Sequence, residues 1–156
     1  MKKEKYNSLY IALKNVKTPI VISLFLTPFR FTLEKVGLSE NVIFIIGLLW
    51  LTLGFSIFWG IKFYKQKSSL LILLLSLVIF SPISRTPVFI LWWITKTYNL
   101  GSHYDIFDNW TQALVGQLFY GSLVQTIPGF LVGSITIAIM KYKAKSVQKF
   151  NSKKNE

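Results

Sequence analysis

From Val42 to Ile61 the chain reads VIFIIGLLWLTLGFSIFWGI, twenty residues without a charge. A soluble domain has no way to bury every face of such a run. About 20 apolar residues rising 1.5 Å each, however, match the roughly 30 Å hydrocarbon core of a bilayer. Three further apolar stretches accompany it: 18–36, interrupted by Pro28 and Arg30; 69–95, containing Pro82, Arg85 and Pro87; and 110–140. The runs are continuous and lack the alternating segments of about ten residues that build a transmembrane barrel. The expected fold is therefore all-α: an integral membrane protein with four transmembrane helices at about 18–36, 42–62, 69–95 and 110–140. At about 1.5 Å per residue the third stretch is roughly 40 Å long, so tilt or a kink at its prolines is expected.

Composition agrees. Only 15% of the residues are charged, against about a quarter in soluble domains. The net charge of +12 does not point to nucleic acid, because the lysines gather at the ends of apolar spans. There they suit anionic lipids at the cytoplasmic face of a bilayer, which is the partner expected. The chain has no cysteine and one histidine, which excludes disulfides, cysteine zinc sites, thiol catalysis and bis-histidine haem ligation within one subunit.

Residues 1–17 carry Tyr6, Leu9, Tyr10, Leu13 and Val16 at helical spacing, flanked by Lys3, Lys5 and Lys14. This predicts an N-terminal amphipathic surface helix, with Thr18-Pro19 opening the first span. No small-x-small cleavage site follows the apolar run, so an uncleaved anchor is expected. Gly47 and Gly54 give the second span a smooth face. Residues 141–156 form a basic, polar tail that reads as disordered.

With four spans, the N-terminus, the 62–67 connection and the C-terminal tail share one side and carry fourteen lysines, against Lys35 and Lys96 on the other. The positive-inside rule then predicts that both termini are cytoplasmic, in a plasma membrane, with the 96–109 loop outside.

The informative charges are Arg30 and Arg85. Each lies about 7 residues, roughly 10 Å, from the outer end of its span. Charges at that depth find partners or serve a function. The structural alternative pairs Arg30 with Glu34, one turn away, and Arg85 with Asp105 or with lipid phosphate. The functional alternative faces both arginines into one outward pocket for an anionic group. His103, Tyr104, Asp105 and Asp108 form HYDxxD, whose donors suit a metal, an acid–base pair or, more plainly, interfacial anchors with Asp108 or Asn109 as a helix cap. In the fourth span Gln117, Gly121, Gln125, Gly129 and Gly133 recur at i+4, a stripe suited to close helix packing or to a polar pathway.

No serine or threonine has a base beside it, so no enzyme, cofactor or metal site is expected. Two functional expectations remain. One is a protein acting by helix packing, as a homo-oligomer or as a subunit of a membrane complex. The other is a compact transporter or lipid-handling protein with an arginine-lined site.

Overall fold

A computed structural model describes residues 2–103 and 105–154; Tyr104 of the HYDxxD motif and the side chains of 2–6, 40, 44–45 and 149–154 lie outside the described residues. Every regular element among them is helical: α1 (Lys2–Lys35), α2 (Glu40–Ile45), α3 (Leu48–Phe63), α4 (Ser69–Tyr98), α5 (Trp110–Leu114), a π-helical segment (Val115–Tyr120) and α6 (Gly121–Lys154). Four helical stretches are long and apolar enough to cross a membrane, within 7–35, 41–63, 69–98 and 110–148. They run up and down, so the start of α1, the end of α6 and the 64–68 turn share one end of the bundle. The 36–39 turn and the 99–109 loop share the other. α4 is the central helix, packed against α1, α3 and α6, while α6 also packs along α3.

Three expectations change. The predicted surface helix and first span are one helix, with no break at Thr18-Pro19. Ser8, Ala12, Val16, Ser23 and Thr27 form one buried stripe that runs past Pro19 from the first half of α1 into the second. The helix stays whole because that stripe packs on α4 along its length. The hydroxyls of Ser23 and Thr27 are satisfied within α1, on the carbonyls of Ile20 and Ser23 (2.8 and 3.4 Å), and so can lie in that buried stripe. Of the expected apolar stripe, Leu9, Tyr10 and Leu13 point away from the bundle, Val16 is buried in it, and the Tyr6 side chain lies outside the described residues. At the other terminus the tail is not irregular, since α6 continues to Lys154.

The second span, expected to be unbroken, is interrupted at Gly47. Ile46 leaves the helix (φ −79°, ψ 37°) and Gly47 is extended (φ −92°, ψ 156°) before α3 begins. In a continuous helix the Gly47 amide would bond to the Ile43 carbonyl. Here Arg30 Nε donates to that carbonyl instead (3.1 Å). Glycine, with its poor helix propensity, is where the helix yields. Gly54, grouped with Gly47 on sequence, is exposed and touches nothing within 4 Å.

The i+4 stripe is buried throughout, from Ala113 through Gln117, Gly121, Gln125, Gly129 and Gly133 to Ile137. Residues four apart creep about 40° round a regular α-helix at each step. The wider π turn at 115–120 takes back part of that drift, which the sequence did not reveal. It is seated by Phe107, whose ring lies where a Gly116 side chain would be. Facing the glycines, α3 presents Thr52, Ser56 and Gly60. Added Cβ atoms at Gly60 and Gly133 would stand 2.7 Å from Thr136 and Leu73. The glycine stripe is thus filled by helices of its own chain. Trp59, Phe63, Leu73, Leu77 and Phe80 form the core toward the lysine-rich end, and Leu48, Val88, Leu91 and Trp92 a second core toward the loop end.

Candidate functional site

The second core borders a cavity of about 250 Å³. Arg30 reaches it from α1, Arg85 from α4 and Gln117 from the π-helical segment, while the first turn of α3, Gly47 to Trp50, forms one wall. His103 and Ile106 close the loop side. The two arginines singled out on sequence therefore meet, and their charges repel across a shared space.

Among the described residues each arginine is held by dipoles rather than by a carboxylate. Arg30 Nε is spent on the Ile43 carbonyl at the end of α2. Arg85 Nη1 donates to Gln117 Oε1 at 3.4 Å, a long contact, and its Nε is buried with no hydrogen-bond partner among the described residues. The guanidinium lies against α6 because residue 121 is glycine: a Cβ there would stand 3.1 Å from Arg85 Cζ and Nε.

The expected carboxylate partners are committed elsewhere. Glu34 does not pair with Arg30. Its carboxylate accepts from the His103 backbone amide (3.0 Å), the His103 ring Nδ1 (2.5 Å) and the Ser102 hydroxyl (3.4 Å). Asp105 does not reach Arg85 and lies 3.6 Å from Lys96 Nζ. Asn109, not Asp108, caps the following helix by accepting from Gln112 N (2.9 Å), and the Gln112 side chain accepts in return from the Asp108 amide (3.3 Å). His103 thus turns to Glu34 and Asp105 to Lys96, while Asp108 is engaged through its backbone amide, and among the described residues these side chains form no shared ligand set.

The loop that carries them is tied down at several points. Lys35 Nζ donates to the carbonyls of Leu100 and Gly101 (2.7 and 2.8 Å), and Trp92 Nε1 donates to Phe107 O (3.1 Å). Farther along the stripe Gln125 is fully buried; Ser84 donates to its Oε1 at 3.1 Å, and its Nε2 has no partner among the described residues. Of the predicted residues, Arg30, Arg85, His103 and Gln117 line one site. Asp105 and Asp108 brace the loop, while Gln125, Gly129 and Gly133 lie in helix contacts. The α3 first turn was missed as a wall. Its only local signal is Gly47 inside an otherwise bulky apolar run.

No protein family matches this chain, and neither a curated protein nor a solved structure resembles it significantly.

Proposed function

We propose that this chain is a compact multi-pass membrane protein, a transporter or lipid-handling protein, built around a site for an anionic group in the outer half of the bilayer. Its termini face the cytoplasm and its 99–109 loop the outside of the plasma membrane, following the fourteen-to-two lysine asymmetry. One observation carries the functional reading: Arg30 and Arg85 enter the same cavity from separate helices, and among the described residues no carboxylate lines it. Guanidinium groups at membrane depth are costly, and neighbouring like charges raise that cost. An anion between them would offset both terms.

The packing reading draws less support, since the glycine stripe that a second copy would use is occupied by α3 and α4.

Thermal unfolding of the purified protein in neutral detergent, at constant ionic strength, tests the reading. The panel contains phosphate, sulfate, decanoate and short-chain phosphatidic acid, against a bulky, weakly binding reference anion. At least one member should stabilise the protein saturably, by about 2.7 kcal/mol at one hundred times its Kd. The effect should vanish in Arg85→Gln and in Arg30→Gln. Identical melting with every member of the panel would overturn the reading.

A further inference from the structure

The cavity also carries information about which anion it takes. Resting on the anion-site reading, we infer that it receives a phosphate group, and that the group arrives on a lipid whose tails stay in the bilayer beside Trp50 and Ile106.

The donors argue for phosphate. Two planar guanidiniums approach from different helices, and each is a fork suited to pairs of oxygens. A third set of donors comes from the start of α3. Gly47 has no side chain to cap that helix, and among the described residues the bond into this first turn from outside the helix is that of the Leu51 amide to the Gly47 carbonyl (3.2 Å). The first amides of a helix otherwise lack intrahelical partners and favour an anion. Leu48, Leu49 and Trp50, which own those amides, all line the cavity. Donors from three directions suit a tetrahedral group with several oxygens. A carboxylate, with two oxygens in a plane, can satisfy only part of the set. The break at Gly47 therefore has a use: it turns the start of a membrane helix toward the two arginines, as interrupted helices do at anion sites in transporters.

Size and rim argue for a lipid. At about 250 Å³ the space is smaller than the roughly 300–1,000 Å³ of sites that enclose a drug-sized ligand. It holds a phosphate with a small head group and leaves acyl chains outside. Two of its lining residues, Trp50 and Ile106, are 53% and 66% exposed and apolar. A free hydrophilic ion gains nothing from such a rim, whereas an amphiphile gains contact for the first part of its tails.

The test compares four probes by thermal unfolding of the full chain in neutral detergent: dihexanoyl phosphatidic acid below its micellar concentration, inorganic phosphate, decanoate and dihexanoylglycerol. Phosphatidic acid should reach half-effect at a concentration at least about tenfold below inorganic phosphate or decanoate, and the neutral diacylglycerol should have no effect. Two variants assign the effect to this cavity. Arg85→Lys keeps the charge without the fork. Gly121→Ala pushes a methyl against the guanidinium at 3.1 Å while improving helix propensity, so its ligand-free melting should stay close to native. Each should raise the half-effect concentration for phosphatidic acid by about tenfold or more.

Decanoate as potent as phosphatidic acid would overturn the phosphate assignment while leaving an anion site standing. Inorganic phosphate as potent as phosphatidic acid would overturn the lipid source. Unchanged potency in both variants would overturn the location. A protein that responds to none of the probes removes the anion-site reading itself, so the two failures are distinct.

Discussion

Glu34, in the last turn of α1, accepts hydrogen bonds from both the backbone amide and the ring Nδ1 of His103, 69 residues away. The one carboxylate within a helical turn of Arg30 in its own helix is thereby committed to the loop, and Arg30 enters the cavity with no carboxylate beside it among the described residues. Glu34→Ala should free that loop and cost about 1.5–3 kcal/mol, the range for hydrogen bonds to a charged group. Hydrogen exchange at 100–103 should accelerate more than exchange in the α3 core. Native exchange rates throughout that loop would show that Lys35 and Trp92 hold it without Glu34.

The glycines divide into two groups with opposite expectations. Gly60→Ala places a methyl 2.7 Å from Thr136 in the α3–α6 contact, and Gly133→Ala places one 2.7 Å from Leu73 of α4 and 3.1 Å from the Ser56 carbonyl of α3. Each should therefore destabilise by about 1–3 kcal/mol through overpacking where α6 meets its neighbours. Gly54→Ala meets nothing within 4 Å and should be neutral or stabilising by up to about 1 kcal/mol. Unfolding in mixed detergent and SDS measures all three. Equal effects would mean that α3 and α6 are not in close contact.

Gln125 separates structure from pathway. Its amide nitrogen has no partner among the described residues, and the single Ser84 hydroxyl proton is shared between its oxygen and the nearer Ser81 carbonyl (2.8 Å). Gln125→Met, similar in shape and apolar, should therefore change stability by less than about 1.5 kcal/mol. A larger loss in unfolding measurements would reveal a hydrogen-bond partner for the amide. Native stability together with loss of anion-dependent stabilisation would extend the site along the stripe toward Gln125.

What was legible in the sequence was local. Charge-free length marks the spans, lysines mark their ends, and the i+4 run from Gln117 to Gly133 lies buried on one face because four-residue spacing is a property of one helix. Hydrophobic periodicity misled in part of α1, where Leu9, Tyr10 and Leu13 of the expected stripe are exposed while Ser8 and Ala12 are buried beside Val16. In lipid, large apolar side chains gain nothing by turning inward, and small residues let helices approach. The break at Gly47 depends on Arg30, thirteen residues back, taking the carbonyl of Ile43. Glu34 is one turn from Arg30, yet pairs with a loop that sequence spacing cannot bring near. Likewise the fit of Arg85 over Gly121 joins two helices and has no signature in either.

Orientation is open to direct test because the native chain has no cysteine. Ser39, in the turn between α1 and α2, and Ser146, in α6, are both exposed and lie at opposite ends of the bundle. The Ser39 side chain makes no capping bond, and that of Ser146 bonds only back to the Tyr142 carbonyl within its own helix (3.1 Å). Replacing either with cysteine should leave the fold intact. If the lysine-rich end faces the cytoplasm, a membrane-impermeant maleimide added to intact cells should label Ser39→Cys and spare Ser146→Cys until the membrane is opened. The reverse pattern would put the lysine-rich end outside and the arginine cavity in the inner leaflet, so its ligand would have to come from cytoplasmic lipid. Labelling of both from outside would mean an odd number of crossings. The interrupted 41–63 segment would then be the first to lose its span, since its helix already stops at Gly47.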